Sequence, residues 1–230
     1  MANRGLHSDK KFEGIYRLVR EGRERLATLS QAPGTSVYGE DIVEIDDKEY
    51  RIWDPFRSKL AAAILKGLSK VPIAPRDSIL YLGAASGTTA SHVSDIVGEK
   101  GRVYCVEFAQ RSFRDLVNNA CRNRPNMTPL FQDARFPGRY RSIVPEVDTI
   151  YSDIAQPDQA RILSENVDTY LGDKGSFLMA VKARSVDVSK DPPAIFNQEK
   201  QFLESKGYRI YETIRLDPFE MDHCMIRGSR

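Results

Sequence analysis

A chain of 230 residues, 41% hydrophobic and 29% charged, can bury one sizeable α/β core with a small appendage. It has no apolar run of about 18 residues, which excludes a membrane-spanning helix, and the opening MANRGLHSDKK lacks the apolar centre of a secretory signal. Cys105, Cys121 and Cys224 fall at no metal-ligand spacing, so reduced thiols and no metal site are expected, and a net charge of +2 gives a weak field for nucleic acid.

Residues 1–55 read as a small β-rich unit. Phe12–Arg20 and Arg25–Leu29 are strand-like, Pro33-Gly34 marks a turn, and Asp41–Ile45 and Glu49–Trp53 are separated by a turn signal at Asp46-Asp47. Residues 56–230 read as the main domain. Its first helix is predicted to start with Asp54 as N-cap and Pro55 at the first helical position, and Ser58–Leu68 is rich in helix formers. From Ser78 the pattern alternates. Strands are predicted at Ser78–Leu82, Arg102–Glu107, Met127–Phe131, Val147–Ser152 and Ser176–Val181. Helices are predicted at Thr89–Val97, Arg111–Arg122, Gln159–Tyr170 and Ala194–Lys206. Strands at Tyr208–Arg215 and about His223–Arg227, with no helix between them, should pair antiparallel. The fold class is therefore α/β: a doubly wound, mostly parallel sheet with an antiparallel last strand, plus the N-terminal unit.

Charge is uneven along this frame. Phe108–Arg141 carries Arg111, Arg114, Arg122, Arg124, Arg135, Arg139 and Arg141 against Asp115 and Asp133. Glu40–Asp54 carries seven acids against Lys48 and Arg51. Either run could be a solvated face; together they point to one face toward RNA and another that avoids it.

In a doubly wound sheet ligands bind beyond the C-terminal strand ends, so the residues after each strand are informative. The first strand is followed by Gly83-Ala84-Ala85-Ser86-Gly87-Thr88-Thr89, small residues that let a backbone approach a ligand. It is neither a phosphate loop nor a strict dinucleotide fingerprint, and alone it could be a tight strand–helix turn. Glu107-Phe108 follows the second strand, 24 residues beyond Gly83; a carboxylate near that spacing binds the ribose hydroxyls of an adenosine cofactor. Asp133-Ala134 follows the third, where an acid can accept from an adenine amine or simply form a turn. Asp153-Ile154-Ala155-Gln156 follows the fourth. Lys182 ends the fifth; such a lysine ordinarily snorkels to the surface, but here it should sit beside Asp153.

These motifs together resemble fibrillarin, the ribose 2′-O-methyltransferase family of box C/D RNA-guided particles, in its short archaeal form. SVYGE, RIWDPFRSKLAAAI, LYLGAASGTTASHVSD, VEFAQR, DIAQP, VKARSVDV and DPFEMDHCM carry the resemblance over nearly the whole chain. It implies a class I methyltransferase-like fold, S-adenosyl-L-methionine as cofactor, and methyl transfer to ribose 2′-hydroxyls of rRNA, with tRNA as a second substrate. It implies a catalytic tetrad of Lys59, Asp153, Lys182 and His223. Cofactor contacts would come from Gly83, Thr88, Thr89, Glu107, Phe108, Asp133, Ala134 and Asp153 through Ile154, Ala155 and Gln156. The implied partners are a guide RNA and its target, a Nop-domain scaffold protein and a kink-turn-binding ribosomal-like protein, with no membrane. The expected location is the cytoplasm. His92 is expected to be a satisfied structural histidine and His7 a surface one.

Three other readings share parts of this pattern. An NAD-dependent oxidoreductase would use the loop and Glu107 but leave the four tetrad residues unexplained. A small-molecule O-methyltransferase would share the cofactor half, and the arginines argue against it. A non-catalytic assembly subunit would be marked by an eroded tetrad, and this one is intact.

Overall fold

The computed structural model describes residues 5–20 and 22–230. Met1–Arg4, which open the stretch read for a signal, lie outside the described residues, as does Glu21. No helix among the described residues is long and apolar enough to cross a membrane.

The N-terminal unit is a five-stranded antiparallel sheet of β1 (Gly5–Ser8), β2 (Ile15–Arg20), β3 (Arg23–Leu29), β4 (Ile42–Ile45) and β5 (Lys48–Trp53), in the order β1-β2-β3-β5-β4. The predicted strand at Phe12–Arg20 begins only at Ile15, because the turn before it ends on Gly14 at positive φ. β1 is short and has one partner, and its sequence gave no signal. The β4–β5 hairpin closes through Asp46 and Asp47, both at positive φ, as the two-residue turn with the right twist requires.

The main domain follows. It comprises α1 (Lys59–Leu65), β6 (Ser78–Leu82), α2 (Thr88–Val97), β7 (Arg102–Glu107), α3 (Gln110–Asp115), β8 (Met127–Phe131), β9 (Val147–Ser152), α4 (Gln159–Tyr170), β10 (Leu171–Lys182), α5 (Ala183–Val186), α6 (Pro192–Ser205), β11 (Arg209–Arg215) and β12 (His223–Ser229). The seven strands run β11-β12-β10-β9-β6-β7-β8. Neighbours from β10 to β8 are parallel, while β12 is antiparallel to both β10 and β11. Strand order reverses between β6 and β9, with Leu82 level with Ser152. That switch point is where such sheets open a crevice.

Two local expectations are corrected. α1 starts at Lys59, not at Pro55: Ser58 is the N-cap, its Oγ accepting from the Ala61 amide at 3.4 Å. Asp54 instead caps its own turn, Oδ1 accepting from the Phe56 amide at 2.9 Å. Ser58 wins because its hydroxyl is also fixed from outside, accepting a hydrogen bond from Thr89 Oγ1 at 2.9 Å. The helix predicted at Arg111–Arg122 is regular only in α3. It then widens into a π-helical turn, Leu116–Ala120, and tightens into a 3₁₀ turn, Cys121–Asn123. The widening leaves Leu116 and Ala120 packed over Gly87, where an added Cβ would lie 2.6 Å from that of Ala120.

α2 is buried on every side beyond its first residue, because the main sheet covers one face and the N-terminal sheet the other. Phe12, Ile15, Leu26, Val37 and Trp53 share one apolar core with α1, α2 and β6. Polar groups on α2 are satisfied across that junction. Arg51 bonds Glu40, Asp95 and Ser91; Arg124 lies 3.4 Å from the other Asp95 oxygen. Two guanidiniums face two carboxylates, so the fully buried cluster is neutral. Burial alone would lift the Glu40 pKa, but Arg51 and the Val37 and Tyr38 amides hold it down at about 2.

Candidate active site

The loop Gly83–Gly87 hangs from β7: the amides of Gly83 and Ala84 both donate to the Val106 carbonyl, at 2.9 and 3.1 Å. Gly83 has φ +77°, and a Cβ there would sit 2.5 Å from the Asp153 carbonyl oxygen. Only glycine lets the β6 and β9 ends approach this closely. Ala85 also takes positive φ, at 47°, and its amide donates to Glu107 Oε2 at 2.9 Å. The Ala109 amide donates to Glu107 Oε1 at 2.7 Å. The carboxylate is thus oriented by two amides, and each oxygen keeps a lone pair for a further donor.

These elements enclose a cleft of about 290 Å³. It is lined by Gly83, Glu107, Phe108, Asp133, Ala134, Asp153, Ile154, Ala155 and Gln156, nine of the eleven positions singled out in the sequence for the cofactor. Thr88 and Thr89 are absent from this lining: they open α2, and the Thr89 hydroxyl is turned to Ser58. Ala85, Val106, Gln132, Arg135 and Ile162 also line it. Ala85 belongs to the loop already noted after the first strand and Gln132 and Arg135 flank Asp133-Ala134, while Val106 lies inside β7 and Ile162 on α4, where a reading of strand ends does not look. Arg135, counted above among the arginines free for RNA, clamps Asp133, Nη2 to Oδ2 at 2.6 Å. The Arg135 hydrogen bonds keep the Asp133 pKa below the usual carboxylate range, so it is an acceptor at neutral pH.

An adenosine fits this donor set. The fixed Glu107 carboxylate suits a ribose diol, Asp133 suits an exocyclic amine, and Val106, Ala134, Ile154 and Ile162 give an apolar seat for a base.

Asp153 connects this cleft to the tetrad. Its amide donates to the Leu82 carbonyl at 2.9 Å, and its Oδ2 accepts from Lys59 Nζ at 3.0 Å. Burial by itself would pull the Lys59 pKa down, but Asp153, with Glu220 farther off, holds it above the ordinary lysine value. Lys59 is therefore a fixed cation. Lys182 ends β10, the strand beside β9; its side chain is exposed and its amide donates to Gln159 Oε1 at 3.3 Å. His223 lies directly across from Lys182 in the antiparallel register. It is buried, and its Nδ1 donates to the Met221 carbonyl at 2.7 Å, which leaves Nε2 as the ring nitrogen without a protein partner among the described residues. So Lys59 and Asp153 make the direct contact, Lys182 and His223 form a cross-strand pair, and it is Lys59, not Lys182, that holds the carboxylate. Glu220, which the sequence reading did not single out, has Oε2 3.9 Å from His223 Nδ1.

Outside the site, His92 is the satisfied structural histidine expected, stacked on Trp53 with centroids 4.8 Å apart, and His7 is exposed. Of the seven arginines between Phe108 and Arg141, Arg124 is fully buried on Asp95 and Arg135 is committed to Asp133; the other five are exposed.

The fibrillarin family model matches residues 6–230. A fibrillarin-like rRNA/tRNA 2′-O-methyltransferase of Methanopyrus kandleri is 48% identical over 218 residues, covering 94% of each chain. The crystal structure of Aeropyrum pernix fibrillarin with natively bound S-adenosyl-L-methionine is 47% identical, with TM-score 0.91 and 97% of each chain covered. A fibrillarin chain solved in complex with Nop5p is 39% identical, with TM-score 0.83, covering 96% of this chain and 100% of that one.

Proposed function

The chain belongs to the fibrillarin family, and we propose that it transfers a methyl group from S-adenosylmethionine to ribose 2′-hydroxyls of rRNA and tRNA as the catalytic subunit of a box C/D guide-RNA particle. The observation that carries this reading is Asp153, one carboxylate that both lines the adenosine-fitting cleft and holds Lys59.

When bound, the cofactor supplies a methyl group already activated on a sulfonium. The protein's task is then to place a ribose oxygen in line and to manage its proton, and placement alone can lower a barrier by several kcal/mol. Glu107 and Asp133 would fix the adenosine. Lys59, held charged by Asp153, would stabilise negative charge developing on the 2′-oxygen. Lys182 would take the hydroxyl proton at Nζ; a lysine does so only in its neutral form, which exclusion of water at the reacting oxygen would favour. His223, with Nε2 unpartnered among the described residues, would hold a neighbouring ribose hydroxyl.

A target chosen by base pairing to a guide needs little sequence reading by this chain, which suits its net charge of +2. A Nop-domain scaffold and a kink-turn-binding protein would hold guide and target, while Arg111, Arg114, Arg122, Arg139 and Arg141 would contact RNA phosphates. The test is methyl transfer from labelled cofactor to a guided RNA, with and without the scaffold proteins, using a 2′-deoxy target nucleotide as control. Lys182→Ala should abolish transfer while cofactor and RNA still bind; wild-type transfer by this variant would remove Lys182 from the mechanism.

A further inference from the structure

The end of β10, which carries Lys182, is held by a residue outside the tetrad and outside the cofactor cleft. We propose that this residue, Gln159 at the start of α4, is a positioning residue for methyl transfer. Its carboxamide fixes the main chain of Lys182 and so sets where Nζ meets the ribose oxygen. The inference rests on the RNA methyltransferase reading above, with Lys182 as the proton acceptor.

The strand end needs such a tie. Pairing of β10 with β9 stops at Met179, level with Ser152, because β9 ends there. Ala180, Val181 and Lys182 therefore run beyond their parallel neighbour. On the other edge β12 still pairs as far as His223, and the Ala183 amide donates to the Asp222 carbonyl at 3.1 Å. Successive amides of a strand point to opposite edges, so that of Lys182 faces the edge that β9 has left. Gln159 Oε1 takes the place of the missing strand carbonyl, accepting from the Lys182 amide at 3.3 Å. Only the oxygen of a carboxamide can meet an N–H, so the bond also fixes which way the side chain faces.

Gln159 is itself fixed and fully buried. The start of α4 is anchored from α6, where Glu199 Oε2 accepts from the Ala160 amide at 3.3 Å. Asp158, the N-cap, makes no side-chain cap bond and is engaged by Arg161 instead. The tie joins both halves of the site. Asp153 lies six residues before Gln159, in the same connection whose residues line the cofactor cleft. One side chain thus couples the connection that begins with the Lys59-holding carboxylate to the strand end that carries the second lysine.

Packing alone does not account for a glutamine here. Its Nε2 is buried with no partner among the described residues. A buried polar group left half-paired lowers stability, so an apolar side chain of the same length would suit the fold better. The direction of the grip also fits. Leu178 and Ala180 share the core that includes α1, whereas Met179 and Val181 share that of α4. By alternation Lys182 projects on the α1 face, which carries Lys59, while Gln159 reaches its main chain from the α4 face.

The experiment uses the assembled particle with a guide RNA and its target. Gln159→Met keeps the side-chain length and removes the acceptor. It should lower kcat by about ten-fold or more, within the loss known for a reacting group displaced by about 1 Å. KM for the target and affinity for S-adenosylhomocysteine should not change, and the thermal midpoint should hold or rise. Gln159→Leu should behave alike and serves if the first variant does not fold. An unchanged kcat, a loss explained by weaker cofactor or target binding, or failure of both variants to fold overturns the proposal. If the wild-type particle transfers no methyl group to RNA, or Lys182→Ala transfers it at the wild-type rate, the underlying reading has failed instead.

Discussion

Acidification should destabilise this protein through His92, and a neighbouring effect of opposite sign must be removed to see it. His92 is fully buried. Thr28 Oγ1 donates its one proton to Asp95 Oδ2 at 2.8 Å, so it can only accept from His92 Nδ1, at 2.7 Å. Nε2 then accepts from Tyr38 Oη at 2.8 Å, and the ring is neutral. Burial, then Arg51 and Arg124, push its pKa well below the usual value. In the unfolded chain it takes a proton near pH 6.5. Stability is therefore complete above about pH 6.5 and declines below it by about 1.4 kcal/mol per pH unit, or about 2 kcal/mol between pH 7 and 5. Glu199 works the other way: burial lifts its pKa to about 7, so falling pH relieves a buried charge by a similar amount. The two nearly cancel in the wild type. The measurement is urea unfolding of Glu199→Gln at pH 7, 6 and 5, followed by circular dichroism and by the fluorescence of Trp53, the only tryptophan. Its stability should fall by about 2 kcal/mol across that range, and His92→Gln in the same background should flatten the slope. A flat Glu199→Gln profile, or a slope that survives loss of His92, refutes the reasoning.

Two further outcomes follow from the same structure. At pH 8 Glu199→Gln should be more stable than the wild type by up to about 3 kcal/mol, a gain that shrinks to about 1 kcal/mol or less at pH 5; paired urea titrations at the two values check it. Gly83→Ala and Gly207→Ala both place a Cβ at positive φ, but only the first meets the Asp153 carbonyl, since nothing lies within 4 Å of the second. Each should cost about 1 kcal/mol or more of stability. Only Gly83→Ala should lose S-adenosylhomocysteine affinity, by ten-fold or more in calorimetry, because it forces apart the two strand ends that frame the cleft.

The sheet and the cleft beyond its strand ends were legible in the sequence for a physical reason. A parallel strand buried on both faces reads as an apolar run such as Ser78–Leu82, and its end must carry whatever touches a ligand, so counting strands locates Glu107, Asp133 and Asp153. What escaped was anything decided by a tertiary partner. Ser58 outcompetes Asp54 as a cap because Thr89, 31 residues away, fixes its hydroxyl. Arg124 and Arg135 look like their neighbours in the string, but one is sealed against α2 and the other turned onto Asp133. The acidic run suffered the same error: Glu40 belongs to a neutral buried cluster, so the surface it was meant to make repulsive is weaker than the count implied.

That cluster also decides whether the boundary between residues 55 and 56 separates two independent units. Architecture changes there, but the core does not. Deleting residues 1–53 removes Thr28, Glu40 and Arg51, leaving His92 and Asp95 on a helix built to be covered, with Arg124 packed against Asp95 from the turn before β8. Breaking one partner of a buried ion pair costs about 3–5 kcal/mol, and a whole domain is stable by only about 5–15 kcal/mol. The deletion also exposes the core once covered by Leu26, Val37 and Trp53. The loop Gly83–Gly87 leads directly into α2, so cofactor affinity should vanish with the fold. The truncated chain is expected to unfold without a cooperative transition in calorimetry and to show no S-adenosylhomocysteine binding. A sharp thermal transition with wild-type affinity would mean that the main sheet alone orders α2, and that the buried charges are dispensable.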